Sequence, residues 1–310
     1  MAKYREFFFD STDGETRLHA MACVPDTGTP LAFLQIAHGV SEHIRRYDDF
    51  AHFMADNGVA VIGHSLLGHG ASCTSKTAGF FAEKDGWDVV LNDIRRLHDM
   101  VRDTYPGVPL FLFGHSMGSF LARTYLIKYP GEYSGCIISG TGFQPQPVIA
   151  AGMAIAKAEA RHLGWMGRST KLYDLCFKSY NKRIKNPVTD YDWLSKDADA
   201  VARYVEDEDC GNIATISLYN DMLGGIGFVC SKKNASRMNR STPVLLMSGM
   251  EDPVGNYGKG VEKTFQLFKS AGCIDVDMKL YEGGRHEMLN ETNRYQVYTD
   301  VLSWLKSYIK

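Results

Sequence analysis

The order of apolar and polar stretches along the chain predicts strands that alternate with helices. Leu31–Ala37, Val59–Gly63 and Leu110–Phe113 are nearly continuous apolar runs, as expected for strands that are covered on both faces. Arg46–Asp56 and Gly86–Tyr105 lie between these runs and have the spacing of helices. Because a strand, a helix and a second strand in succession form a parallel unit, the pattern predicts a parallel sheet. The other predicted elements are two strands within residues 1–24, one strand at Cys136–Ser139, and helices at Met117–Tyr129, Gly260–Ser270 and Asn293–Ile309.

This alternation breaks at about residue 143 and resumes near residue 236. Between these points the chain shows several helical patterns and no strand pattern. The strand candidates Val244–Met247 and Val276–Tyr281 then follow. The simplest interpretation is one core domain made of residues 1–142 and 236–310, with a helical insertion at residues 143–235.

Composition and charge narrow the classes of function. Hydrophobic residues make up 45% and charged residues 23% of the 310 residues, which is typical of a globular protein with a sizeable core. The formal net charge of −2 and the scattered basic residues predict neither a nucleic-acid partner nor a polybasic membrane patch. The seven cysteines are odd in number and include no C-x-x-C pair, which favours reduced thiols in a cytoplasmic protein. No apolar run is long enough for a membrane-spanning helix or a signal-peptide core, so membrane contact is expected to be peripheral at most.

A G-x-S-x-G pentapeptide follows one of the predicted strands. Residues Gly114–Gly118 have Ser116 at their centre, between the strand Leu110–Phe113 and the helix that begins at Met117. Such a sharp turn exposes the serine hydroxyl, and flanking glycines remove side chains that would collide across it. We therefore predict Ser116 as a nucleophile; the alternative is an ordinary strand-to-helix turn that happens to contain serine.

A serine nucleophile needs a base and a carboxylate that orients the base. In this architecture both follow the serine along the chain, the acid first. His286 stands in a glycine-containing loop after the last predicted strand and is the predicted base, whereas His162 lies within the insertion. Asp252 follows the strand Val244–Met247 and precedes a proline, so it is the predicted acid, with Glu251 as the nearest alternative.

The loop after Leu31–Ala37 is the candidate oxyanion loop. The predicted donors are the backbone N–H groups of Val40, in this loop, and of Met117, directly after the nucleophile. His38 is a second candidate base, but we interpret it as a structural residue. The residues predicted to fix the loop are His38, Gly39, Glu42 and His43.

No cofactor is expected and no metal site is predicted. The histidines His38, His43, His64 and His69 do not have the spacing of a standard ligand set. The cysteines and histidines likewise lack zinc-ligand spacing.

These motifs, taken in order, resemble a known family. The matching positions are His38-Gly39-x-x-Glu42-His43, Arg46-Tyr47, Gly68-His69-Gly70-x-Ser72, Gly114–Gly118, Asp252 and His286. They are similar to the monoacylglycerol lipase and lysophospholipase branch of the α/β-hydrolases, which is also grouped with the serine aminopeptidase-like hydrolases. The resemblance implies an α/β-hydrolase fold with a mostly parallel eight-stranded sheet, helices on both faces and a helical cap insertion. Two positions depart from it: Ser65 and Ser119 stand where the family often has aspartate and glycine.

The resemblance also implies the substrate class. It predicts a serine hydrolase that cleaves carboxylic esters of monoacylglycerol or lysophospholipid type, with residues 143–235 as a cap over the site. Val148–Ala156 contains only apolar residues and glycine, and Ile213–Val229 is mostly apolar. These segments are either buried helices or a lid that lines an acyl-chain tunnel and touches a membrane or micelle transiently. The alternatives are a short-chain, aryl-ester or amide hydrolase, and a non-catalytic ligand-binding protein of the same fold.

Overall fold

The structure, a computed structural model, describes residues 2–74 and 76–309. Its central feature is one sheet with the strand order β1-β2-β4-β3-β5-β6-β7-β8. The pairs β1–β2 and β2–β4 are antiparallel and all other neighbouring pairs are parallel, which confirms the predicted mostly parallel eight-stranded sheet. The strands are β1 (Lys3–Asp10), β2 (Arg17–Val24), β3 (Ala32–Ala37), β4 (Val59–His64), β5 (Leu110–His115), β6 (Gly135–Ser139), β7 (Val244–Gly249) and β8 (Val276–Tyr281).

Helices cover both faces of this sheet. One buried cluster joins the sheet to α1 and α10, and a second, larger cluster joins the opposite face to α2, α3 and α9. The strands β3 to β7 are buried at every position, which explains why they read as continuous apolar runs rather than alternating ones. The helices are α1 (Asp48–Asp56), α2 (Gly86–Thr104), α3 (Met117–Lys128), α4 (Gln146–Leu163), α5 (Thr170–Phe177), α6 (Ala198–Glu206), α7 (Ile216–Val229), α8 (Lys232–Ala235), α9 (Lys259–Ala271) and α10 (Arg294–Tyr308).

The segment between β6 and β7 is helical. Residues 143–235, all of which the structure describes, contain α4 to α8 and no strand. The segment packs closely on the core, because a Cβ atom at Gly225 of α7 would overlap the indole of Trp87 at the start of α2. Buried side chains of α4, α5 and α7 belong to the same apolar cluster as α2 and α3. We call residues 143–235 the cap; its division from the core stays a prediction.

The longest helices do not have membrane character. Within the described residues, no helix combines the length and apolar composition that a bilayer-spanning segment needs.

Candidate active site

Ser116 lies on a strained turn between β5 and α3. Its backbone has φ 52° and ψ −119°, a conformation that residues other than glycine rarely adopt. The turn needs both flanking glycines: a Cβ atom at Gly114 would overlap the carbonyl of Gly118, and one at Gly118 would overlap the carbonyl of Ala37 at the end of β3. The close crossing of α3 over β3 therefore sets the nucleophile turn beside the candidate oxyanion loop.

Asp252 and His286 form a buried pair at the ends of β7 and β8. The distance from Asp252 Oδ2 to His286 Nδ1 is 3.0 Å, and both side chains are almost fully buried. Two further donors hold the carboxylate: the Ser248 hydroxyl at 2.8 Å from Oδ2 and the Val254 N–H at 2.8 Å from Oδ1. All three partners of the carboxylate are in place in the free protein, which favours one orientation of the imidazole.

Charge and burial have opposite effects on the pKa values of Asp252 and His286. Burial raises the pKa of Asp252, but the charge of His286 and the hydrogen bonds from His286 and Ser248 outweigh it, so the carboxyl pKa lies below its usual value. Burial lowers the pKa of His286, but the Asp252 charge and hydrogen bond outweigh it, so the imidazole pKa is raised. The pair therefore favours an ionised carboxylate beside a readily protonated imidazole, as a general base requires.

The alternative acid and base lie elsewhere. The Glu251 carboxylate is half-exposed and pairs with Lys196 at 2.7 Å. His162 is exposed near the end of α4. Neither side chain lines the cavity that contains Ser116 and His286.

His38 and Glu42 hold the candidate oxyanion loop from both sides. His38 is fully buried; its Nδ1 lies 2.7 Å from the Gly39 carbonyl, and its Nε2 accepts the Leu66 N–H at 2.8 Å. These contacts require the proton on Nδ1, which donates to the Gly39 carbonyl. The Glu42 carboxylate accepts the Gly39 N–H. In a trans peptide the C=O and N–H point in opposite directions, so fixing the Gly39 carbonyl turns the Val40 N–H away from His38.

The predicted donors and the nucleophile share one wall of a cavity. Val40, Met117, Ser116 and His286 all line it. Met117 opens α3, where an N–H has no intrahelical acceptor and stays available. A Cβ atom at Gly39 would lie 3.0 Å from the Ser116 Cβ, so glycine lets the loop approach the nucleophile. The structure thus brings together every predicted site residue; their catalytic roles stay predictions.

A buried ion cluster joins the oxyanion loop to the histidine loop. Arg46 donates to Glu42 at 2.9 Å and to both carboxylate oxygens of Glu287 at 2.6 and 2.7 Å. Burial alone would raise the pKa of Glu287, but the Arg46 charge and its hydrogen bonds hold that pKa well below its usual value. Since Glu42 holds Gly39 and Glu287 directly follows His286, one guanidinium fixes both loops relative to each other.

Three neighbours of His286 were not predicted from the sequence. The ring of Trp193, from the cap, lies 5.0 Å from the imidazole, and the ring of His115 lies 4.7 Å from it. Gly140 has a φ of 59°, and a Cβ atom there would lie 2.8 Å from the imidazole Cε1. The glycine could have been noticed as a strand-end glycine after β6, but no local signal marks Trp193.

The cap also contacts the oxyanion loop directly. Ser41, which has a φ of 56°, accepts hydrogen bonds on its carbonyl from the Tyr204 hydroxyl at 2.9 Å and the Gly211 N–H at 3.0 Å. Its own hydroxyl donates to the Asn212 carbonyl at 2.7 Å. The Arg46 guanidinium lies 4.7 Å from the centre of the Tyr204 ring. The residue after Val40 is therefore held by the cap segment 204–212.

The two departures from the family pattern take part in local hydrogen bonds. The Ser119 hydroxyl donates to the Ser116 carbonyl at 2.6 Å. The Ser65 carbonyl accepts from the Ser72 hydroxyl at 2.6 Å, which in turn accepts the His19 N–H at 2.9 Å. Both serines are buried, and the Ser65 hydroxyl accepts the Ile44 N–H at 3.4 Å, so each side chain satisfies a backbone group near the site.

This arrangement defines a class: the fold, and a partly exposed serine that shares a cavity with the histidine of a histidine–carboxylate pair, are those of the α/β-hydrolases, as predicted. Comparison with known proteins gives the family. The sequence profile described as serine aminopeptidase, S33 matches residues 28–293, and the chain belongs to that family.

Individual relatives agree with this assignment. The chain is 26% identical over 299 residues to a monoacylglycerol lipase from Mycolicibacterium smegmatis, covering 96% of this chain and 95% of the relative. It is 26% identical over 283 residues to the human monoglyceride lipase, covering 90% and 84%. A crystal structure of a thermostable carboxyl esterase from Bacillus coagulans superposes with a TM-score of 0.92 at 27% identity, covering 99% of both chains. The predicted enzyme class, a serine ester hydrolase, is confirmed by these relatives.

The Asp252 carboxylate gives the first testable prediction. Asp252→Asn removes the charge that holds the His286 tautomer, and we expect kcat to fall by about 10³–10⁴-fold. Because the base acts in its neutral form and its pKa is raised, wild-type kcat/KM should rise with pH through a value above the ordinary histidine pKa of about 6.5. In Asp252→Asn this acid limb should move to lower pH. Glu251→Gln is the matched control; a comparable loss there would reject Asp252 as the orienting acid.

The cap contact with Ser41 gives a second prediction. Tyr204→Phe removes one of two donors to the Ser41 carbonyl, a change of about 1 kcal/mol that should lower kcat by about fivefold with little change in KM. Tyr173→Phe is the control, because its hydroxyl binds the Tyr191 hydroxyl at 3.4 Å rather than the loop. Steady-state kinetics and thermal unfolding of both variants separate a local effect from loss of the fold. Equal losses of kcat in the two variants would contradict the proposed role of Tyr204.

Proposed function

We propose that this protein hydrolyses monoacylglycerols with medium or long acyl chains. The observation that carries the proposal is the cavity at Ser116, which has a volume of about 880 Å³ and is lined on its cap side by apolar residues. These residues come from α4, α5 and α7 and include Ile149, Ile155, Leu172, Met222, Leu223 and Ile226. A cavity of this kind is within the size range of small-molecule sites, and each buried methylene of an acyl chain contributes about 0.8 kcal/mol.

The proposed reaction uses the groups around Ser116 in two steps. The Ser116 hydroxyl attacks the ester carbonyl while His286 takes its proton, and the N–H groups of Val40 and Met117 stabilise the oxyanion. His286 returns the proton to the departing glycerol, which leaves an acyl-enzyme. A water molecule, deprotonated by His286, then attacks the acyl carbon and releases the fatty acid and the free serine.

The charges along the cavity favour a neutral headgroup over a phosphate. Among the described lining residues, Lys263 alone is a lysine or arginine, and its side chain is exposed. The anionic residues of the lining, Glu42 and Glu287, are already paired with Arg46. A lysophospholipid would place its phosphate in a cavity with little compensating charge, so we favour the glycerol ester.

The cap supports a transient contact with micelles or bilayers. Val148 and Leu175 line the cavity and are nevertheless more than half exposed, which places apolar side chains at its mouth. Trp165 and Met166, directly after α4, are also exposed. Exposed aromatic and aliphatic side chains of this kind favour the interface of a lipid aggregate. In this proposal residues 143–235 act as the lid and the protein binds its substrate at the lipid surface.

A chain-length series tests the substrate. We expect kcat/KM for p-nitrophenyl esters and monoacylglycerols to rise by up to about fourfold per methylene until the cavity is filled. Ser116→Ala should abolish turnover of every substrate and labelling by a fluorophosphonate. Ser179→Ala, which removes a hydroxyl from the same cavity, is the control and should lose less than tenfold.

Other outcomes of this series identify the alternatives. A flat profile with preference for acetyl esters indicates a short-chain or aryl esterase, and faster turnover of matched anilides indicates an amidase. Preference for lysophosphatidylcholine over monoacylglycerol of the same acyl chain would contradict our choice of headgroup. Absence of both turnover and labelling would indicate a ligand-binding protein.

The lipid contact is tested separately. The double variant Trp165→Ser, Met166→Ser should bind neutral vesicles at least about fivefold more weakly, because two apolar side chains no longer enter the interface. The matched control is Ile274→Ser, which removes an exposed apolar side chain from the core side, before β8. Co-sedimentation with phosphatidylcholine vesicles that contain monoacylglycerol measures the binding. Equal binding by wild type and the double variant would reject this contact.

A further inference from the structure

A second group of chemically reactive side chains meets where the cap touches the oxyanion loop. His43 stands at the end of that loop, and Asp207 and Cys210 follow α6 in the cap. The distance from His43 Nε2 to Asp207 Oδ2 is 2.8 Å, and the three potential ligand atoms all lie within 4.8 Å of one another. His43 and Cys210 are buried and Asp207 is partly exposed.

We propose that His43, Asp207 and Cys210 bind a thiophilic divalent cation, with Zn²⁺ as the best match. Imidazole nitrogen, carboxylate oxygen and thiolate sulfur are the ligand types that zinc takes in proteins. A thiolate in the set disfavours Mg²⁺ and Ca²⁺, which prefer oxygen ligands. Three protein ligands leave a fourth position for water.

The distances are compatible with a small local adjustment. Zinc bonds of about 2.0–2.3 Å in tetrahedral geometry place ligand atoms roughly 3.3–3.6 Å apart. The His43 nitrogen and the Asp207 oxygen, now hydrogen-bonded at 2.8 Å, would separate slightly. The Cys210 sulfur, within 4.8 Å of both, would move inward by about 1 Å. Binding exchanges the His43–Asp207 hydrogen bond for two metal bonds. His43 gives up its Nε2 proton to solvent and takes one on Nδ1, so the ring stays neutral, and the Cys210 thiol releases its proton to solvent as the sulfur–metal bond forms.

The surroundings give a cation both access and a favourable potential. His43 and Asp207 line a polar cavity of about 650 Å³, distinct from the cavity at Ser116. Carboxylates outnumber guanidinium groups along it, and one of the guanidinium groups, on Arg46, is already paired with two carboxylates. The charged side chains of this cavity are Glu6, Asp48, Asp49, Asp207 and Asp209 on the acidic side, and Arg45, Arg46 and Arg203 on the basic side.

The site would join the cap to the oxyanion loop. Gly211, which follows Cys210, donates its N–H to Ser41, the residue after Val40. A metal bound to His43 and Cys210 would therefore add a second link between the same two segments, the oxyanion loop and the cap. The spacing of residues in the sequence predicts no such site, because His43 and Asp207 are separated by 164 positions.

Calorimetry with ZnCl₂ on the full chain, after treatment with a chelator, tests the proposal. We expect one Zn²⁺ per chain, with an affinity at least about tenfold weaker in both Cys210→Ser and Asp207→Asn. Cys273→Ser removes another buried thiol, outside the group, and should bind Zn²⁺ like the wild type. Co²⁺ gives a second readout: the wild type should show near-ultraviolet sulfur-to-cobalt absorption, and Cys210→Ser should lose it.

Circular dichroism establishes that each variant is folded, and Asp207→Asn keeps the test informative where a cysteine variant does not fold. Zinc affinity that is unchanged in Cys210→Ser, or a cobalt complex without thiolate absorption, would overturn the proposal. Both readouts measure the ion alone, so their outcome is independent of whether the protein hydrolyses monoacylglycerols.

Discussion

The guanidinium of Arg46 holds the two halves of the candidate site together. It pairs with Glu42, which fixes the Gly39 N–H, and with Glu287, which follows His286. A buried ion pair of this kind contributes little net stability, because removing charges from water offsets most of the attraction. Its effect is geometric: a planar group with fixed donors sets the distance between two loops that come from opposite ends of the chain. This side chain therefore ties the loop of His286 to the loop of the Val40 N–H, while Asp252 and the cap hold each loop separately.

The cap also contacts the two loops that Arg46 joins. Trp193 packs on the imidazole of His286, and Tyr204 contacts both Ser41 and Arg46. A movement that lifts the segment 193–211 away from the core would expose His286 to water and remove donors from the Ser41 carbonyl. In the proposed function, access of substrate and completion of the oxyanion loop would therefore be mechanically linked, and chemistry would be favoured while the cap is closed over the substrate.

The sequence predicts the parts of the site that arise from local structure. The turn at Ser116 is marked by its glycines, because the crossing of β3 and α3 leaves no room for side chains there. Asp252 and His286 are found from their positions after strands, since the carboxyl ends of parallel strands meet at one edge. Trp193 and Tyr204 could not be predicted in the same way. The cap contains no strands whose ends would mark a site, and both residues lie in or next to short helices joined by irregular segments. Their contacts join residues far apart in the chain, and no periodic pattern encodes such a contact.

The apolar segments of the cap had two interpretations, buried helices or a lid lining, and the structure shows that the two are compatible. In α7 the backbone at Gly225 packs against Trp87 of the core, while Met222, Leu223 and Ile226 line the cavity. One helix can do both because a helix that is apolar over most of its surface can pack on the core and still present an apolar wall to the cavity. The face on the core is constrained by close packing, which tolerates few substitutions. On the cavity side Leu223 lies close to Gly152 of α4, and Met222 and Ile226 also border the cavity. In the proposed function these side chains would limit the length of the acyl chain while the groups around Ser116 stay unchanged.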